Sequence, residues 1–299
     1  MLNIFSILRY WRLKLLIALF RALARLVEPP PRSSPDAILA IPSRDPGRAI
    51  KVHVYQPGGV PNSPAPVLVN IFGGGFVLPL HGADDLYCRR VASSAGYVVL
   101  DVDYRLAPEH PFPAAIHDAE DAICYVLDHA AEYKTSHVSI SGFSSGGTCA
   151  LAMLGLFPKD TFRSVITFYP STNAAEDPST RVAPVSGGKR LPAFWTRIFR
   201  EAYFGDADPR DLRISPINAA GTTPYPAHML VITAEMDTSA LEAEALAAKA
   251  MGTGRSVVVK RMKRVGHNFD KKVTNQDCAR AREESYGLAI DILRTVARQ

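Results

Sequence analysis

The chain has 299 residues, of which 47% are hydrophobic, 21% charged and 9% aromatic. That balance excludes a disordered chain, and the length is enough to bury a full hydrophobic core. The net charge of +5 sits in one place: residues 1–27 hold Arg9, Arg12, Lys14, Arg21 and Arg25 and no acid. The remainder is neutral, so a nucleic-acid-binding body is not expected.

Residues 1–27 read as one helix, which the prolines at 29–31 cannot continue. Its longest uncharged apolar run, residues 15–20, falls short of the about 20 residues of a spanning helix and of the ~7–15 of a signal-peptide core. Lys14, Arg21 and Arg25 share one helical sector, with Leu, Ile and Phe filling much of the rest. The preferred reading is a helix covering this protein's own core or active site; contact with a membrane surface is the alternative.

From residue 49 onward short β-branched or apolar runs alternate with helical patterns. Strands are predicted at 50–55, 67–71, 97–103, 137–142, 164–169, 229–233 and 256–262. Helices are predicted at 84–94, 113–131, 145–157, 239–251 and 277–297. Repeated alternation predicts one α/β domain over 1–299, a mostly parallel sheet with helices on both faces. Residues 171–225 break the rhythm: they lack a good strand, are rich in Pro, Gly and Asp, and carry an aromatic helix near 194–204. They read as an insertion over the sheet.

Cys88, Cys124, Cys149 and Cys278 are far apart, with no Cys/His spacing of a metal site, and no Asn-x-Ser/Thr acceptor occurs. Free thiols in a reducing, intracellular compartment follow as the expectation, with no metal or organic cofactor.

The chemistry is concentrated at Gly142-Phe143-Ser144-Ser145-Gly146, where a strand turns directly into a helix. Such a turn strains the serine backbone, lifts its hydroxyl above the sheet and aims a helix N-terminus at it. A serine hydroxyl is a poor nucleophile at neutral pH and needs a base oriented by a carboxylate. In this arrangement the chain order is Ser, acid, His. Of eight histidines only His267 follows the last predicted strand. The acid should follow the strand at 229–233, where Glu235 and Asp237 both qualify; Asp237 is preferred because it stands at the start of the next helix. Upstream, a strand runs into Phe72-Gly73-Gly74-Gly75-Phe76, whose glycines let backbone N–H groups turn toward an oxyanion, completed by the amide of Ser145.

Five segments carry a family resemblance: FGGGFVLP (72–79), DYRLAPEHPFPAAIHDAEDA (103–122), GFSSGG (142–147), AEMDTSALEAEALA (234–247) and VGHNF (265–269). The chain resembles the hormone-sensitive-lipase-like branch of the α/β-hydrolase carboxylesterases, and its C-terminal part is similar to fungal members, some of which act in secondary metabolism. The resemblance implies a helical cap from about 1–48 and 171–225. It also implies Ser144, Asp237 and His267 as a catalytic triad, and Gly74, Gly75 and Ser145 as amide donors with Gly73 shaping the loop. The chain departs from the family at Phe72 (usually His), Phe143 (usually a small acidic residue) and Ser145 (usually Ala). Phenylalanine cannot hydrogen-bond the loop, so packing alone is expected to hold the three glycines.

Around this centre, Leu191, Phe194, Trp195, Phe199 and Tyr203 are expected to form an apolar wall. Asp103, Arg105, Glu109 and Asp118 should form buried ion pairs beneath the site. Arg190, Arg197 and Arg200 read as a solvated helix face. The expected activity is hydrolysis of a small or medium apolar acyl ester through an acyl-enzyme. Acyl transfer or cyclisation from the same intermediate is a second reading. A non-catalytic ligand-binding relative is a third, against which the retained His267 argues.

Overall fold

The computed structural model of the protein describes residues 4–27, 30–58, 64–187, 191–219, 224–252 and 254–299. Eight strands form one sheet: β1 (Ala37–Pro42), β2 (Ala49–Tyr55), β3 (Ala65–Ile71), β4 (Val98–Val102), β5 (Tyr133–Phe143), β6 (Phe162–Phe168), β7 (His228–Ala234) and β8 (Ser256–Met262). Their spatial order is β1-β2-β4-β3-β5-β6-β7-β8. The β1/β2 and β2/β4 pairs are antiparallel and the rest are parallel. Central strands β3 and β4 are buried on both faces, which is why they read as continuous apolar runs rather than alternating ones.

The helices are α1 (Ile4–Val27), α2 (Asp85–Ala95), α3 (Ala114–Asp128), α4 (Ser145–Leu156), α5 (Ala193–Phe204), α6 (Ala240–Met251) and α7 (Gln276–Ala297). One face of the sheet buries Val69, Ile123, Met153 and Val231; the other buries Leu68, Val91, Ile232 and Leu293. Every predicted strand and helix from residue 49 onward is present within a few residues.

Strand β1 was not expected, and it alters the boundary drawn at residue 48. Ala37–Pro42 pairs in register with β2, Ala37 opposite Val54 and Pro42 opposite Ala49, so this stretch is sheet edge rather than cover. Its sequence, AILAIP, is short and lies just beyond a proline-rich tract, and both features hide a strand.

Helix α1 packs on α5, and its Leu13 and Ile17 are buried. Arg9 bonds Glu201 at 3.2 Å and the Gly205 carbonyl at 2.7 Å, and Arg12 also meets Glu201. Arg21 donates to the Val77 and Ala107 carbonyls at 2.7 and 2.8 Å and pairs with Glu109 at 3.1 Å. These cations are therefore spent on the protein itself. A second apolar row, Ile4, Leu8, Trp11, Leu15, Leu19 and Leu26, points the opposite way and is 51–84% exposed. The spacing of 4, 3, 4, 4 and 7 keeps all six on one helix face.

Candidate active site

Ser144 stands between β5 and α4 with φ 50° and ψ −117°, a conformation that costs a non-glycine residue about 1–3 kcal/mol. The close packing of the turn over-determines it. A Cβ at Gly146 would lie 2.0 Å from the Ile71 carbonyl oxygen, so only glycine lets α4 leave the sheet this tightly.

His267 follows β8. Its Nε2 lies 2.9 Å from Ser144 Oγ, and its Nδ1 lies 2.7 Å from Asp237 Oδ2. Asp237 follows β7, is 6% exposed, and accepts the Ser239 amide on Oδ1 at 3.1 Å. Burial pushes its carboxyl up, but the His267 charge and hydrogen bond, with Ser239, outweigh that and leave it below the ordinary carboxylate value. Burial pushes the imidazole down; the Asp237 charge and hydrogen bond outweigh it, so His267 titrates above its usual 6.5. Glu235, the other candidate acid, is turned away and accepts the Arg264 amide at 2.8 Å.

The loop 72–76 runs alongside this turn. At Gly73 a Cβ would sit 3.3 Å from Ser144 Cβ, and Gly74 and Gly75 take φ values of 136° and 62°. The loop is not held by packing alone: Tyr104 donates its hydroxyl to the Phe72 carbonyl at 3.1 Å. The expectation failed because phenylalanine's lack of a polar side chain says nothing about its backbone oxygen. Ser145 opens α4, which places its amide at the helix N-terminus beside Ser144.

Phe199 faces the loop, since a Cβ at Gly75 would lie 2.8 Å from its ring. Phe20 of α1 meets Trp195 and Phe199 with ring centroids 4.7 and 4.9 Å away. Tyr203 stacks on Phe76 at 3.8 Å. Phe194 is 57% exposed and stands edge-on to Trp195, and Leu191 is exposed too. The inner wall at the loop is thus built by Phe199, Trp195 and Phe20; Phe20 was missed because its partners lie far along the chain.

Of the expected ion pairs, Arg105 bonds the fully buried Asp118 at 3.0 Å, joined by Arg48. Asp103 pairs instead with Lys51 and Glu109 with Arg21. Arg197 is exposed and pairs with Asp177, but Arg200 is no solvated cation: burial, with Arg181 nearby, pulls it down to about 10. Arg190 lies outside the described residues.

A buried network beneath the triad was also missed. Lys271 lies 2.7 Å from Asp84 and 2.8 Å from Asp270, over the Phe143 ring at 3.4 Å. Asp270 accepts the hydroxyls of Tyr169 and Tyr286 at 2.5 and 2.7 Å, and the Tyr169 ring packs against His267 at 4.6 Å. The signal available was Asn268-Phe269-Asp270-Lys271, two charges three and four residues after a candidate catalytic histidine.

A fold of this topology carrying a serine, a histidine and a carboxylate at successive strand ends is that of the alpha/beta hydrolases, and the family model described as alpha/beta hydrolase fold matches residues 68–271. The chain belongs to that family, in the hormone-sensitive-lipase-like carboxylesterase branch. Among curated relatives, the carboxylic ester hydrolase LipN of Mycobacterium tuberculosis is 30% identical over 248 residues, covering 77% of this chain and 63% of LipN. The carboxylesterase NlhH of the same species is 37% identical over 164 residues, covering 52% and 50%. The matched stretch therefore spans half to just under two thirds of these relatives. Among solved structures, the thermostable carboxylesterase EstE1, cloned from a metagenomic library, superposes with a TM-score of 0.78 and 27% identity over 95% of this chain and 97% of that one.

Proposed function

We propose that the protein is a serine carboxylesterase acting on small-to-medium apolar acyl esters. The observation that carries this reading is the hydrogen-bonded line from Ser144 through His267 to Asp237, with the serine on a strained turn. Ser144 Oγ attacks the ester carbonyl as His267 Nε2 takes its proton, and Asp237 holds the imidazole and stabilises its cation. The amides of Gly74, Gly75 and Ser145, on a loop shaped by Gly73, receive the oxyanion. The proton passes from His267 to the departing alcohol; water, activated by the same base, then cleaves the acyl-serine.

Helix α1 and residues 171–225 serve as cap, with Phe199, Trp195 and Phe20 limiting the acyl group. The finer placement, a fungal-type enzyme acting on a secondary metabolite, rests on the likeness of the C-terminal part alone. A reducing, intracellular compartment suits the four free cysteines. The test is a panel of nitrophenyl esters from acetyl to decanoyl with the acyl-enzyme trapped and weighed. An acyl adduct on Ser144 that water releases supports hydrolysis; failure to acylate sinks it.

Membrane contact through residues 1–27 is favoured by one observation, the outward apolar row of α1. Lys14 and Arg25 border that row and the helix has no acid, a combination suited to an anionic lipid surface. No helix among the described residues is long and apolar enough to cross a membrane, so the contact is peripheral.

A further inference from the structure

The sheet carries a polar row across four adjacent strands. Register places His53 of β2 opposite Asp101 of β4, Asp101 beside Asn70 of β3, and Asn70 beside Ser141 of β5. Ser141 donates to Asn70 Oδ1 at 2.8 Å and Asn70 Nδ2 donates to Asp101 Oδ1 at 2.8 Å. The row begins three residues before Ser144 and ends at a pair of imidazoles. His81, from the loop that starts at Phe72, lies against His53 with ring centroids 4.0 Å apart and 38° between the ring planes. Its Nε2 lies 3.3 Å from Asp101 Oδ2 and 3.0 Å from the Asp101 backbone oxygen.

Burying a carboxylate is costly without a positive partner. Asp101 is fully buried, and its Oδ2 has no hydrogen-bond partner among the described residues. The nearby buried ammonium, Lys271, is already shared between Asp84 and Asp270. What faces Asp101 Oδ2 is imidazole nitrogen: one donor atom each from His53, His81 and Asp101 lies within 4.8 Å of the others. We propose that His53, His81 and Asp101 bind a divalent transition-metal ion of the zinc type, separate from the catalytic serine.

Two imidazoles and a carboxylate are a donor set zinc favours, at bond lengths of about 2.0–2.2 Å. Asp101 and His53 each have an outer partner that would orient them. Asn70 holds Asp101 Oδ1 and leaves Oδ2 for the ion. His81 Nε2 faces Asp101 and contacts its backbone oxygen at 3.0 Å, a contact that an ion would replace, while Nδ1 lies 3.5 Å from Asp103 without a hydrogen bond. Ser33 lies 3.4 Å from His53 Nδ1, which leaves Nε2. Such outer contacts fix tautomer and ring angle at metal sites. Gly82, with φ 89°, shapes the cover: a Cβ there would lie 2.9 Å from Ser33 Oγ, so glycine lets the segment bearing Ser33 close over His53. Bonds of about 2.0–2.2 Å require these donor atoms, now within 4.8 Å of one another, to draw together around the ion. A bound ion would tie the end of the loop 72–84 to the sheet, and the Phe72 ring already touches His81 at 5.6 Å.

The full chain, stripped with a chelator and dialysed against zinc chloride, should retain one zinc per molecule and melt at a higher temperature. His81→Gln and Asp101→Asn should each retain at least tenfold less, with unchanged far-ultraviolet circular dichroism, while His267→Ala should keep its zinc. X-ray absorption on zinc-loaded wild type should show a shell holding two imidazole nitrogens at about 2.0 Å and no sulfur at ~2.3 Å. Absence of retained zinc, equal retention by the variants, loss with His267→Ala, or a sulfur shell would each overturn the proposal. The wild-type spectrum decides even if a variant fails to fold.

Discussion

Phe72 and Tyr104 are joined twice: their rings stack 4.2 Å apart with 14° between planes, and the Tyr104 hydroxyl donates to the Phe72 carbonyl at 3.1 Å. The phenylalanine at the head of the glycine loop is thus anchored by the block DYRLAPE rather than by a side-chain hydrogen bond of its own. Tyr104→Phe keeps the stack and removes the donor. It should cost about 1 kcal/mol in stability and several-fold in kcat, with little change in KM. Phe72→His should not improve the enzyme, because it puts an imidazole into a fully buried stack; a melting temperature lower by several degrees is expected. A stable, faster Phe72→His variant would show that the loop needs a polar brace.

Ser144→Ala should abolish both turnover and labelling by a fluorophosphonate probe while the fold persists. Asp237→Asn should lose on the order of a thousandfold or more in kcat, because the imidazole loses its orienting anion. Glu235→Gln should be mild, since the Glu235 carboxylate accepts the Arg264 amide rather than facing His267. Steady-state kinetics on a nitrophenyl ester compares them. The reverse ranking of the two acids would move the assignment to Glu235.

The acid limb of the pH profile reports His267, which must be neutral to accept the serine proton. Asp237 raises its titration above 6.5, so kcat/KM should fall as pH drops through a midpoint above 6.5. In Asp237→Asn the raising charge is gone, and the residual activity should have its midpoint at lower pH. An unchanged midpoint would mean that another group controls the limb.

Lys271 is enclosed by Asp84, Asp270 and the Phe143 ring. Lys271→Met keeps the length and removes the charge, leaving two buried carboxylates without their cation. A loss of about 3–5 kcal/mol in denaturant titration is expected. A loss below 1 kcal/mol would show that these carboxylates are protonated in the native state.

The two faces of α1 can be separated by substitution. Leu15→Glu with Leu19→Glu alters only the outward row and should abolish flotation with anionic vesicles while kinetics on soluble esters hold. Phe20→Ala alters the inward face and should broaden acyl-chain preference without affecting flotation. Wild type that ignores vesicles but is a dimer, broken by the same two glutamates, would assign the row to self-association.

The strands from residue 49 onward were legible because each has a β-branched or apolar pattern that local sequence controls. The serine turn was legible too, since its glycines are required within five residues. Strand β1 was not, because six residues beside prolines become a strand only by pairing with β2. Glu235 and Asp237 both met the sequence criteria; choosing between them takes the direction in which the chain leaves β7. The contacts of Lys271 with Asp84, of Tyr169 with Asp270 and of Phe20 with Phe199 each join residues more than a hundred positions apart, and no local pattern encodes such a meeting.

Arg9 and its partner Glu201 are 192 positions apart. During synthesis at about 5–20 residues per second, α1 therefore waits roughly 10–40 s for the helix it docks on. Until then the inward apolar row lacks α5 to pack on, and Arg9 and Arg12 lack their acceptor Glu201. The nascent chain thus offers a basic, doubly apolar helix long before the sheet beneath it exists.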